Sequence, residues 1–142
     1  MSGWILDTDH VSLFLRSHPQ VTRKLREHGT NVAITIVTVQ ELFNGWIVRI
    51  NGATEVPDLV RLYGKLNRTI DFCKRVPVVE FDDAAGDRYH QLIQTDPELV
   101  KKRLQKDMRI AAIALAQEAT VVTRNKRDFS LVPGLRIEDW SN

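Results

Sequence analysis

Cysteine is almost absent: Cys73 stands alone among 142 residues. No intrachain disulfide can form, and a reducing compartment suits the chain. Histidine is sparse too, and His10, His18, His28 and His90 lack the short paired spacings of a zinc site. No apolar run approaches the ~20 residues that cross a bilayer. The start has no basic segment followed by a long apolar stretch, so no signal peptide is expected and a cytoplasmic location follows. Neither sign of charge dominates: the net charge of +2 is too small to imply nucleic-acid binding by itself. Repeats, low-complexity tracts and linkers are missing, and residues 1–142 are expected to form one domain.

Hydrophobic residues make up 43% and charged residues 27%, the balance of a globular chain with one sizeable core. Residues 3–6 read as a short buried strand, followed by helices over 8–16 and 19–28 on either side of His18-Pro19. Residues 32–37 are β-branched and apolar, hence a strand. Val39, Leu42, Phe43, Trp46 and Ile50 fall at helical spacing and predict a helix over 39–51. Beyond Pro57, Leu59, Leu62, Tyr63, Leu66 and Ile70 line a second long helix. The two form a hairpin that is a candidate dimer or partner surface. Residues 76–81 read as a strand, 83–95 as a helix and 96–103 as a polar loop or frayed helix start. A small-residue helix over 110–116, a strand over 119–123 and an edge strand over 135–139 complete the chain. Alternating strands and helices predict an α/β fold with a mostly parallel sheet covered on both faces.

Four acids then stand out. Asp7 ends the apolar run Trp4-Ile5-Leu6, which places it at the carboxyl edge of a sheet, where ligands of open α/β sheets bind. It also suits the N-cap of the next helix. Glu41 follows a strand in Thr38-Val39-Gln40-Glu41, a pattern that equally fits a capping box. Asp107 begins the face that runs through Ile110, Ala111 and Ala114, where a helix dipole favours an acid. Asp128 lies just past a strand in a segment that suits a turn. All four map to one edge of a parallel sheet. Clustered carboxylates repel one another, and a hard divalent cation, Mg²⁺ or Mn²⁺, is the natural partner for oxygen ligands. Around Asp107 and Asp128 lie Lys101, Lys102, Arg103, Lys106, Arg109, Arg124, Lys126 and Arg127. That setting suits a polyanion across a metal centre, or equally a solvated helix face.

The segments Leu6-Asp7-Thr8-Asp9, Thr38-Val39-Gln40-Glu41-Leu42, Asp107-Met108-Arg109-Ile110-Ala111-Ala112 and Val122-Thr123-Arg124-Asn125-Lys126-Arg127-Asp128-Phe129 resemble the four signature blocks of PIN-domain ribonucleases. The ending Pro133-Gly134-Leu135-Arg136-Ile137-Glu138-Asp139-Trp140 resembles the close of VapC toxins of bacterial toxin–antitoxin pairs. The likeness spans essentially the whole chain, in order. It implies a PIN-like three-layer α/β/α sandwich and a metal-dependent endoribonuclease that leaves 5′-phosphate and 3′-hydroxyl ends. Asp7, Glu41 and Asp107 match the family's three core acids and Asp128 a fourth, less uniform one. The resemblance gives Thr8, Thr123 and Asn125 supporting roles behind the ligands, and Lys106, Arg124 and Lys126 contacts to RNA. It further implies a VapB-type antitoxin, an RNA substrate such as transfer RNA, and a homodimer.

This chain departs from the family at Asn125, where many relatives carry an aspartate, so the fourth ligand lies between Asn125 and Asp128. It also has Arg103-Leu104-Gln105-Lys106 where relatives often have a Gly-Pro-Asn segment, which predicts an earlier helix start. Two other readings exist. Asp7-Thr8-Asp9-His10-Val11 also resembles the catalytic loop of haloacid-dehalogenase-like phosphatases, with Asp7 as nucleophile, Asp9 as acid/base and Asp82-Asp83 as a later acidic pair. A non-catalytic RNA-binding protein on a PIN-like fold is the other.

Overall fold

The computed structural model describes residues 3–142. Five strands form one sheet: β1 (Trp4–Leu6), β2 (Val32–Thr35), β3 (Val78–Val79), β4 (Thr120–Val122) and β5 (Ile137–Glu138). Their order is β3-β2-β1-β4-β5, and every neighbouring pair is parallel. The helices are α1 (Thr8–Leu15), α2 (Pro19–His28), α3 (Ile36–Gly52), α4 (Val56–Arg75), α5 (Asp83–Thr95), α6 (Gln105–Gln117) and the short α7 (Lys126–Phe129).

The pleat sorts the core into two layers, because successive side chains leave opposite faces of a strand. Ile5 and Val121 pack with the α5 and α6 residues Ala85, Leu92, Ile110 and Ile113. Their neighbours Leu6 and Val122 pack on the other face with Val11, Val21 and Leu42 of α1, α2 and α3. The result is a three-layer α/β/α sandwich whose sheet is wholly parallel. In α6, Ala111, Ala112 and Ala114 are completely buried. Residues this small let a helix lie close against its neighbours.

Several boundaries differ from those expected of the sequence. The strand expected over 32–37 stops at Thr35, whose hydroxyl accepts from the Thr38 N–H and caps α3. The other expected strands shrink to two or three residues, since sheet pairing ends where neighbours end. Two 3₁₀ turns, Pro97–Val100 and Lys102–Leu104, carry the chain into α6, which does start early, at Gln105.

The end of the chain is fastened to the first strand. Trp140 is only 2% exposed and stacks on His28 at 4.5 Å, while its indole and that of Trp4 donate to the two Glu138 carboxylate oxygens. Trp140→Ala is expected to destabilise the protein by about 3–5 kcal/mol, read as a lower midpoint in urea at unchanged m. A loss under ~1 kcal/mol would show that the clamp is unimportant.

Candidate active site

The sheet order reverses direction at β1, with β2 on one side and β4 on the other. Such a reversal opens a crevice at the carboxyl ends of the strands. Asp7 leaves β1 there, with its N–H donating to the Val122 carbonyl at 2.9 Å. Thr123 leaves β4 beside it, and its hydroxyl donates to Asp7 Oδ2 at 2.7 Å. The other Asp7 oxygen accepts from the Thr8 N–H at 2.8 Å. Asp7 therefore caps α1 and faces the crevice at once.

Glu41 reaches the crevice from α3. Its Oε1 accepts from the Thr8 hydroxyl at 2.8 Å, which lies 3.1 Å from the Thr38 hydroxyl. With Thr35 as the cap, Thr38 already sits inside the helix. Glu41 is thus no capping-box residue, and that alternative falls. Asp107, in the first turn of α6, accepts from Asn125 Nδ2 at 3.0 Å. The same nitrogen donates to Asp128 Oδ2, also at 3.0 Å.

Burial pushes the Asp7 carboxyl up to about 8, with repulsion from Asp9 and Asp107 adding to it. Burial also raises Asp107, to about 6, helped by repulsion from Glu41, Asp128 and Asp9. Asp7 thus feels the charges of Asp9 and Asp107, and Asp107 those of Glu41, Asp128 and Asp9. Asp128 differs. Burial works against its charge, but hydrogen bonds from Asn125, Arg103 and Arg127 hold its carboxyl below the usual range. Its Oδ1 accepts from Arg103 at 3.1 Å and Arg127 at 3.3 Å, so both oxygens already have donors. Asn125 Oδ1 in turn caps α7 by accepting from the Asp128 N–H.

Asp9 lies outside the four acids drawn from the sequence, although it stands two residues after the first of them. Its Oδ2 accepts from the Arg124 N–H at 3.0 Å, and its Oδ1 meets Nδ1 of the fully buried His10 at 2.9 Å. The other ring nitrogen of His10 accepts from the Trp140 N–H at 3.1 Å. A hydrogen bond spanning 130 residues leaves no local signal in the sequence. Of the expected RNA contacts, Arg124 and Lys126 are exposed on either side of Asn125, and Lys106 is half-buried next to Asp107.

No group of three or more Asp, Glu, His or Cys side chains among the described residues is arranged to hold a metal ion as it stands. Mg²⁺ does not require one, since it keeps several waters and is bound through one or two carboxylates. Two acids held at raised pKa by burial and mutual repulsion fit a cation of that kind.

No family model matches the chain. Ribonuclease VapC2 of Rickettsia felis is 33% identical over 143 residues, spanning 96% of this chain and 97% of that protein. The chain belongs to the VapC family. A second VapC, the tRNA(fMet)-specific endonuclease of Salmonella typhimurium, is 26% identical over 99% of both chains. The fold agrees: the DNA-bound VapBC complex of Salmonella typhimurium contains a chain with a TM-score of 0.77 and 26% identity, covering 99% of each. A chain of VapBC-1 from nontypeable Haemophilus influenzae superposes at a TM-score of 0.78, over the full length of both, at 19% identity. The phosphatase reading loses its second acidic pair as well. Asp82 caps α5 by accepting from the Ala85 N–H at 2.9 Å, beyond edge strand β3.

Proposed function

We propose that this VapC-family protein is an endoribonuclease toxin that cleaves RNA, transfer RNA included, with the help of Mg²⁺ or Mn²⁺. Asp7, Glu41 and Asp107 would hold the cation. The observation that carries this is the charge repulsion that links Asp107 to Asp7 and to Glu41 at the strand reversal, each acid gripped by a hydroxyl or amide donor. Bound there, a divalent cation lowers the pKa of water and offsets charge on a scissile phosphate. Thr123 and Thr8 fix Asp7 through both of its oxygens. Thr8 orients Glu41, and Asn125 orients Asp107 through a single oxygen. Arg124, Lys126 and Lys106 supply positive charge for the RNA backbone. By the same reading a VapB-type antitoxin covers the site, and a second copy of the chain completes a dimer. Among the described residues no helix is long and apolar enough to cross a membrane.

Incubation of the purified protein with transfer RNA tests the activity. Cleavage with Mg²⁺, giving 5′-phosphate ends and abolished by EDTA, is expected. Full activity in EDTA would overturn the metal assignment.

The fourth position can be resolved by mutation. Asp128 as a fourth acid on the cation makes Asp128→Ala the costlier change, because a hard cation gains more from a carboxylate than from an amide. Its three donors make it also the anchor of Asn125 and Arg103. Asp128→Ala is therefore expected to lower activity about 10–100-fold, and Asn125→Ala by less. Wild-type cleavage by Asp128→Ala beside an inactive Asn125→Ala would reverse the assignment.

A further inference from the structure

A cavity of about 300 Å³ opens beside the acids, between α1, α3 and α4. Thr8 and Glu41 are part of its lining. The same lining holds four cations, Arg16, Arg49, Lys65 and Arg68, together with Trp46. These four cations make no ion pair among the described residues. Elsewhere Arg23, Arg61, Arg75, Lys101, Arg103 and Arg127 each have a carboxylate partner, while others such as Arg109, Arg124 and Lys126 are unpaired among the described residues but line no shared cleft with these four. Unpaired cations facing one concavity focus positive potential in it.

Trp46 is not a disordered surface ring. Its Nε1 donates to the Thr69 hydroxyl at 2.8 Å, and that hydroxyl donates to the Lys65 carbonyl at 3.0 Å. Thr69 is completely buried, so the indole is pinned across the α3–α4 hairpin. The polar edge of the ring is satisfied inside the protein, and what lies over its face is cationic. The Arg49 guanidinium lies 5.3 Å and Lys65 Nζ 5.9 Å from the ring centroid. Both are cations resting on the ring for want of an anion.

We propose that this cleft is a nucleotide subsite: an unstacked base of the RNA lies on Trp46, and Arg49, Lys65 and Arg68 hold the phosphates flanking it. A nucleotide offers the two things the cleft is built for, a π-face for the indole and an anion for the cations. The volume is at the lower end of small-ligand pockets and fits one such unit. Since Glu41 and Thr8 line the same cleft, a base seated here lies close along the strand to the phosphate at the acids. The subsite rests on the nuclease reading, and it adds where substrate selection occurs: single-stranded or loop nucleotides can enter, whereas a base inside a duplex cannot.

The test is binding of a short, mixed-sequence, single-stranded RNA in EDTA, so that affinity is read without cleavage. Trp46→Ala is expected to weaken it about 5- to 150-fold, the range carried by one base–aromatic stack. Trp46→Phe should retain most of the affinity. Arg49→Ala with Arg68→Ala alters two exposed positions and is expected to keep the fold. That pair should flatten the log–log salt dependence by about 0.7 for each phosphate that is no longer neutralised. With Mg²⁺ present, Trp46→Ala should raise KM more than it lowers kcat. Unchanged RNA affinity and salt slope in the arginine pair overturn the proposal, whatever happens to the folding of Trp46→Ala. So does oligoglutamate of matched charge binding as tightly as RNA and independently of Trp46, which would assign the cleft to an acidic protein segment. A wild-type protein that binds RNA with these dependences but never cleaves it would fail the nuclease reading alone.

Discussion

Asp7→Asn is expected to lower RNA cleavage by about 10³-fold or more while making the metal-free protein more stable. The activity loss follows from charge. Stabilising the developing charge at a phosphate is worth several kcal/mol, and each ~1.4 kcal/mol is tenfold in rate. Asparagine keeps an oxygen for the Thr8 N–H and a polar atom for the Thr123 hydroxyl, so the geometry survives without the carboxylate. The stability gain follows from linkage. In the folded protein the Asp7 carboxyl sits at about 8, against 3.8 for the ordinary group. The folded state therefore binds more protons than the unfolded state between those two pH values. Stability falls as pH rises across that window and levels off above it. The advantage of Asp7→Asn over wild type should be small near pH 4, grow through neutrality and saturate above pH 8. Thermal melts in EDTA across that range measure it. Added Mg²⁺ should raise the wild-type midpoint most at the alkaline end, where the acids are ionised, and raise that of Asp7→Asn far less. A variant that cuts RNA at the wild-type rate would remove Asp7 from the site.

Glu41→Gln has the second large effect and separates charge from shape. The Thr8 hydroxyl can donate to the amide oxygen as it does to Oε1. Glu41 is only half-buried, so stability should change by less than about 1 kcal/mol. The lost charge should weaken Mg²⁺ binding and lower cleavage by about 10²-fold or more. Asp107 should respond too. Glu41 is the foremost charge raising its carboxyl, after burial, so Asp107 should titrate lower in the variant. Carboxylate NMR reads that shift directly. Unchanged cleavage together with an unmoved Asp107 would place Glu41 outside the shared cluster.

The acids were legible in the sequence because their local settings are distinctive. An apolar run that stops at Asp7, or a helix face that opens on Asp107, reports a strand end or a helix start. In a parallel sheet those positions share one edge. The two long helices and the small-residue α6 were legible for the same reason, since periodicity reports burial. The boundary at Thr35 was not. β-branched residues 36–37 suit a strand by propensity, but the Thr35 hydroxyl caps a helix that begins with them. Local hydrogen bonding at a cap overrides a weak propensity.

The sequence by itself determined the fold class and the family likeness, and it marked Asp7, Glu41, Asp107 and Asp128 as candidates. Tertiary structure decided what each acid touches. It set β4 beside β1, which brings Thr123 to Asp7 across 116 residues. It gave Asp128 its arginine partners, made Asp9 a neighbour of Asp7 in charge and brought unpaired cations into one cleft with Trp46. The physical reason is range. Propensity and periodicity act over a few residues and record which side of the chain is buried. Hydrogen bonds and charge repulsion act through space, between atoms whose proximity only the strand order creates.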